Sequence, residues 1–277
     1  MKNLKKLAMI LMSMLLVFAL IGCGDDKAPE QPAETPAAEE PAEAPAEENT
    51  EAPADDAAEA PAEDVAVMSY DEFVAAELDS EVTVETYVQA KQSWWEKDGQ
   101  GVATLYTQNE DGAYFLYNAA CSQEDYDKLE VGTKIRVHGF KTEWSGEVEI
   151  VDATIEIIDG NYVAEPADLT ENFGSEDLVN YQNQFVSFKG LTVADKGEGA
   201  AFTYSYDGSG TDGDDLYFDV TLGDKTVTFV VESYLCDKDS DVYNAVKNLK
   251  VGDTIDVEGF MYWYEGPQLH TTSVTVK

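Results

Sequence analysis

Asp207-Gly-Ser-Gly-Thr-Asp-Gly-Asp-Asp215 sets four carboxylates and three glycines within nine residues. Hard oxygen ligands on a flexible loop suit calcium, so Asp207, Asp212, Asp214 and Asp215 are candidate Ca2+ ligands. The stretch departs from an EF-hand loop, because Asp212 stands where the turn glycine belongs and no glutamate closes the twelfth place. A second acid triplet, Asp237-Lys-Asp-Ser-Asp241, has Val242 at its sixth place. In so acidic a chain the competing reading is a solvated loop and helix N-terminal charge. Other chemistry-bearing types are sparse. His138 and His270 are the only histidines, neither stands at zinc spacing, and both are expected on solvent-facing strand positions. There is no Gly-x-Ser-x-Gly elbow, and carboxylates are too abundant for any pair to be diagnostic, so the chain is read as not an enzyme. Cys121 and Cys236 each follow a third strand. Equivalent places in two successive domains need not come within the ~6 Å between Cα atoms that a disulfide requires, so half-buried free thiols are the simpler reading.

The aromatic residues say more. The first half of the folded chain has Trp94, Trp95, Tyr106, Tyr114, Tyr117 and Trp144; the second has Tyr204, Tyr206, Tyr217, Tyr262, Trp263 and Tyr264. Adjacent residues of a strand point to opposite faces, so Trp94 and Trp95 cannot both be core. Exposed indoles offer flat contact surface to a sugar ring, a peptide or a cation. Trp94, Trp95 and Trp144, with Arg136 as a local positive charge, are the candidate ligand-binding residues.

The chain has 56 acids against 17 bases, and 15 of the acids and 4 lysines precede residue 66, which leaves the remainder near −28. Such a surface repels phosphate backbones, and Arg136 is the only arginine. Nucleic acid is therefore disfavoured as a partner on electrostatic grounds; cations or basic proteins fit the charge better.

The elements that position these residues follow from an internal repeat. Leu129-Glu-Val-Gly-Thr-Lys-Ile-Arg-Val-His-Gly-Phe140 returns as Leu249-Lys-Val-Gly-Asp-Thr-Ile-Asp-Val-Glu-Gly-Phe260, with seven of twelve positions identical at an offset of 120. Each copy reads as a helix end, a turning glycine, and a strand with Ile and Val on one face. The second glycine falls inside the strand, which marks a bulge or sharp bend. Before the first motif, Ser69-Tyr-Asp-Glu72 reads as a capping box. Strands follow at 82–89, 102–108 and 113–117, then a helix from Ser122 to Leu129, the motif strand, and a last strand at 148–158. The second copy repeats this order, with strands at 185–193, 202–206, 216–222 and 226–232, a helix at 241–249, the motif, and a strand at 269–276. It carries 16 extra residues before its motif, mostly in the loop at 207–215 and the connection at 236–241.

Three strands, a helix, then two strands with a glycine bend resemble the OB-fold, a five-stranded Greek-key barrel. The fold class expected is mainly β: two tandem five-stranded OB-like barrels, 66–160 and 165–277, each with a short helix before its fourth strand. Paired immunoglobulin-like sandwiches would need about seven strands each and no such helix. The resemblance implies binding on the face of the second and third strands and the flanking loops. Trp94 and Trp95 fall between the first two strands, and Trp144 falls between the last two.

Residues 1–23 read as a targeting segment, with Lys2, Lys5 and Lys6 before an apolar run from Leu7 to Ile21, too short for a span of about 20 residues. Leu20-Ile-Gly-Cys23 resembles the lipobox of bacterial lipoproteins, which implies cleavage before Cys23 and a lipid on its sulfur. Residues 24–65 reduce almost wholly to Ala, Glu, Pro and Asp, and read as a disordered acidic tether. The resulting expectation is a lipid-anchored extracytoplasmic protein, held to the membrane through Cys23. It acts as a non-catalytic binding or adaptor module of the cell surface for a small-molecule, glycan or protein ligand. An accessory module acting on wall or extracellular polymers is the alternative, and single-stranded nucleic-acid binding stands third.

Overall fold

The computed structural model describes residues 66–277; the signal segment, Cys23 and the tether lie outside the described residues. The first copy opens with helix α1 (Tyr70–Ala75), where the Ser69 side chain accepts from the Glu72 N–H and the Glu72 carboxylate accepts from the Ser69 N–H. This reciprocal pair is the capping box that Ser-x-x-Glu encodes. Strands β1 (Glu81–Lys91), β2 (Trp95–Lys97), β3 (Gln100–Gln108) and β4 (Ala113–Ala120) lead to helix α2 (Gln123–Lys128), then β5 (Thr133–Trp144) and β6 (Glu147–Asn161). Strand β1 pairs with β5 and β3, β5 with β6, β6 with β4, and β4 with β3, which closes a five-stranded ring. The β4–β6 pairing is parallel and the others in the ring are antiparallel. β2 is a short addition that hairpins onto β3.

The second copy has the same wiring. Strand β7 (Ala167–Asp168) and two 3-10 turns, the second at Glu176–Tyr181, precede β8 (Phe185–Val193). Then come β9 (Thr203–Tyr204), β10 (Leu216–Leu222), β11 (Lys225–Val231), helix α3 (Asp241–Lys247), β12 (Thr254–Trp263) and β13 (Pro267–Val276). The ring runs β8, β12, β13, β11, β10 and back to β8, again with one parallel pair, β11 with β13. The expected strand at 202–206 shrinks to the two residues of β9, which lie against β10.

Alternation explains the burial. Ile135 and Val137 are fully buried and His138 is exposed on β5; Ile255 and Val257 are buried on β12. The strand glycines sit where the register slips, at His138/Phe140 and at Glu258/Gly259. A Cβ on Gly139 would lie 2.8 Å from the Val151 carbonyl oxygen, and one on Gly259 would collide with that of His270. The bend therefore requires a residue with no side chain.

Each barrel has its own apolar core, and a third cluster joins them. Tyr106 and Phe115 of the first barrel pack against Phe260 and Tyr262 of the second, flanked by Phe185 and Leu235.

Candidate ligand cleft between the two barrels

Two turns that are equivalent in the repeat meet at this joint. Trp144-Ser-Gly146 links β5 to β6, and Tyr264-Glu-Gly266 links β12 to β13, 120 positions later. Ser145 and Glu265 both have positive φ, 52° and 54°, so both hairpins turn in the same tight way. The Glu265 N–H donates to the Ser145 carbonyl at 2.8 Å, and the Trp144 and Tyr264 rings lie 5.2 Å apart. Gly146 leaves room for Trp263, whose ring would be 2.7 Å from an added Cβ.

Beside these turns opens a cleft of about 1060 Å³. Trp144, Tyr206, Tyr217, Tyr262 and Tyr264 supply its rings; Asp215, Glu232 and Glu265 supply its carboxylates. Trp144 is 53% exposed and Tyr206 72%, so their faces are open to a ligand. Tyr206 and Tyr217 meet edge to face at 5.6 Å. Burial, then the neighbouring Asp215, pushes the Glu232 carboxyl up to about 7, although the Tyr234 and Leu235 N–H groups and Gln92 oppose the rise. Gln92, from the first barrel, donates to Glu232 at 2.8 Å. Burial followed by Asp215 and Glu232 holds the Tyr217 phenol up to about 12, so it is a hydrogen-bond donor at neutral pH.

His270 lines the inner end of the cleft and is 6% exposed, which corrects its expected place on a solvent-facing strand position. Burial lowers it to about 3, so the imidazole is neutral, and the phenol of Tyr106, which burial raises well above its ordinary value, shares a hydrogen bond with its Nδ1. Period-two alternation predicts the face of a strand but not that a second barrel covers that face. His138 is exposed as expected, with Nδ1 2.9 Å from the Thr83 hydroxyl.

Of the ligand residues expected from sequence, the cleft takes Trp144 and leaves out Trp94, Trp95 and Arg136. Trp94 donates from Nε1 to the Cys121 carbonyl and covers Gly101. Trp95 is exposed on β2. Arg136 is paired with Glu85 at 2.8 Å and Glu156 at 3.0 Å, and Lys134 shares Glu85, so its charge is neutralised locally. The cleft residues absent from that expectation, Tyr206, Tyr217, Tyr262, Tyr264 and Glu232, lie in the second copy. The signal for Tyr264 was present, since it stands 120 positions from Trp144.

The acidic loop holds its carboxylates apart. Asp207 accepts from Ser209, Asp212 from Lys247 at 2.6 Å, Asp214 from the Thr211 N–H, and Asp215 from Ser233. Among the described residues no three His, Cys, Asp or Glu side chains are grouped to hold a metal ion. Cys121 and Cys236 are both free thiols, and burial pushes each up to about 11.

No family model matches the chain, and no curated protein matches it. Solved structures do. One is a murine DNA-binding protein bound with double-stranded DNA, at 12% identity and a TM-score of 0.34, with 70% of this chain and 94% of that one covered. The Ifi202 HINa domain in complex with 20-base-pair double-stranded DNA matches at 13% identity and 0.31, covering 72% of this chain and 98% of that one. A replication protein A heterotrimer bound to single-stranded DNA matches at 12% and 0.30, covering 71% and 49%. Both barrels are OB-folds. At this identity the likeness concerns the fold alone. The matched structures are described as DNA complexes, against the expected cell-surface adaptor or polymer-associated module with nucleic acid disfavoured. Net charge is one number for the whole surface. It penalises phosphate contacts but is silent on where rings are open for stacking.

Proposed function

We propose that this chain binds single-stranded nucleic acid through its bases, in the aromatic cleft between the barrels. The observation that carries the reading is the set of open rings, Trp144, Tyr206 and Tyr264, at the β5–β6 and β12–β13 turns and the β9–β10 loop. The loop between the last two strands is a place where OB-folds engage oligonucleotides. Stacking on an aromatic ring contributes about 1–3 kcal/mol per base and tolerates any sequence. Lys225 is the one lysine or arginine lining the cleft, against Asp215, Glu232 and Glu265, so stacking and hydrogen bonds to base edges supply most of the affinity.

The test is a titration of the full chain with a single-stranded oligonucleotide, followed by Trp fluorescence at several salt concentrations. Binding that quenches fluorescence, is lost in Trp144→Ala and Tyr264→Ala, and barely changes with salt supports the reading. A protein held by phosphates instead loses affinity with a slope of about −0.7 per contact on single strands. Absence of binding at every salt concentration, or a steep slope untouched by both variants, overturns it.

Two further proposals rest on sequence. The lipobox resemblance at Leu20-Ile-Gly-Cys23 supports an extracytoplasmic, lipid-anchored address; Cys23→Ala then releases the protein from the membrane fraction or leaves it unprocessed. Calcium at Asp207, Asp212, Asp214 and Asp215 requires Lys247 to yield Asp212. Millimolar calcium then raises the melting temperature, and Asp212→Ala with Asp214→Ala abolishes the rise.

A further inference from the structure

The joint between the barrels contains a carboxyl group that has no use for a charge. Glu147, the first residue of β6, has no exposed surface. Its Oε2 accepts from the Trp263 N–H of the second barrel at 2.9 Å. Its Oε1 has no partner. Asn183, 2% exposed in the connection before β8, lies with its side-chain amide beside this carboxyl. The Asn183 Nδ2 donates to the Val148 carbonyl and its backbone N–H to the Met261 carbonyl, while its Oδ1 is also unpartnered. Two buried acceptors in neighbouring groups are therefore both empty. Native interiors rarely leave even one such atom unpaired.

No cation compensates the site. The ionisable groups that face Glu147 are Glu149 two residues along β6, Tyr70 of α1, Tyr106 of β3 and Tyr262 of β12. These are a second acid and three phenols that burial keeps protonated. An isolated buried carboxylate costs several kcal/mol even after relaxation, and such a group takes up a proton instead. A proton on Oε1 removes the uncompensated buried charge and turns an empty acceptor into a donor.

The surroundings show what this carboxyl holds together. It bridges the two equivalent turns, one residue beyond Gly146 on one side and one residue before Tyr264 on the other. Gln182 Nε2 donates to the Gly146 carbonyl at 2.6 Å, and the Glu265 N–H donates to that of Ser145, within the same seam. The cleft takes its rings from both sides of this seam.

We propose that Glu147 is a proton-operated pin: as a neutral acid it lies buried in the joint against Trp263 and Asn183 of the second barrel without an uncompensated charge, and loss of its proton to solvent loosens the joint that shapes the cleft. The pin acts on barrel alignment whatever the cleft binds, so it stands or falls apart from the nucleic-acid reading. Burial, opposed by Asn183 and the Trp263 N–H, pushes the carboxyl up to about 8. In an opened joint, water returns it to the ordinary carboxylate range. The closed form thus binds one more proton between about pH 5 and 8, and the opening equilibrium rises about tenfold per pH unit there and levels off above 8.

The experiment is hydrogen exchange of the full chain from pH 5 to 9, corrected for the intrinsic pH dependence of amide exchange. It follows the amides of Trp263, Val148 and Glu265 against those of Val137 and Val257 in the barrel cores. In the wild type, protection at the joint falls with pH and then levels off, while the cores hold. Glu147→Gln keeps an acceptor for Trp263 without a titrating proton, and removes the tenfold-per-unit component of the slope, Glu149 and Glu232 supplying what remains. Identical slopes in wild type and variant overturn the proposal. Should the variant not fold, the Glu147 carboxyl carbon resonance of the wild type decides: a midpoint near 8 supports the pin, and one in the ordinary carboxylate range overturns it.

Discussion

The indole of Trp144 and the phenol ring of Tyr264, one repeat apart in sequence, lie 5.2 Å apart with their planes at 43°. An internal repeat has thus packed one of its hairpin turns against its own copy. Such a ring pair adds about 0.5–1.5 kcal/mol beyond the area it buries. Trp144→Ala and Tyr264→Ala each lower stability by about that much in chemical denaturation. The double variant loses less than the sum of the two single losses, as residues in contact should.

The strand glycines give a sharper loss. An added methyl at Gly259 meets the His270 backbone carbonyl, which cannot move without unpairing β13. Gly259→Ala is expected to cost roughly 1–3 kcal/mol or more by overpacking. Gly223→Ala is the control, because its Cβ meets nothing; there the cost comes only from its φ of +64°, a modest backbone penalty of about 1 kcal/mol. Denaturant midpoints of the two variants check the order.

Lys141 is buried on β5, and its ammonium donates to the Phe73, Val74 and Ala76 carbonyls at the end of α1. The position one repeat later is Met261. Lys141→Met keeps the stem but leaves the carbonyls unpaired, and stability falls by about 1–3 kcal/mol. If Lys141→Met is neutral by thermal melting, water replaces the ammonium and the cap is dispensable.

The pH dependence follows from four buried groups. Burial is the leading cause for all of them: Glu147 stands at about 8, Glu149 and Glu232 at about 7, and His270 at about 3. Each carboxyl is raised above its unfolded value, so its neutral form favours folding at low pH and that advantage is lost as pH rises toward 7 to 8. His270 is lowered, so its contribution is present above its unfolded value near 6.5 and is lost as pH falls toward 3. Three groups favour acid and one opposes it, so stability falls from pH 5 to pH 8, by at most about 1.4 kcal/mol per unit for each carboxyl, and the melting temperature falls with it. Melting scans that rise over this interval contradict the assignment.

Fragments 66–160 and 165–277 each retain a full barrel core, but separation exposes Tyr106 and Phe115 in one and Phe260 and Tyr262 in the other. Each fragment is expected to melt cooperatively below the intact chain, and the two mixed to recover part of the loss. Light scattering and calorimetry check this. A fragment without a cooperative transition shows that the joint is indispensable for folding.

Most of the local architecture was legible because its causes lie within a few residues. Ser69 and Glu72 cap α1 across three residues, Ile135 and Val137 alternate inward, and Gly139 and Gly259 mark their bulges by type alone. The repeat then made the second barrel readable from the first, down to β8 at Phe185–Val193 and β10 at Leu216–Leu222. The added β2 escaped this reading and the strand expected at 202–206 shortened to the two residues of β9, since their pairing depends on one neighbouring strand rather than on a long alternating run.

The face each barrel turns to the other was decided only in three dimensions. Phe140 and Phe260 are the same residue at the same place in the repeat, yet Phe140 is 38% exposed and Phe260 3%. Lys141 and Met261 diverge in type, while His270, expected on a solvent-facing strand position, and Glu147, just outside the strand expected at 148–158, are buried in the joint. Sequence by itself determined two barrels, their strands and their caps, because hydrogen bonding and alternation act along the chain and across adjacent strands. The cleft, its rings and the burial of the Glu147 carboxyl in the joint were set by tertiary structure, because burial of a strand's outer face depends on a second surface that no local pattern encodes.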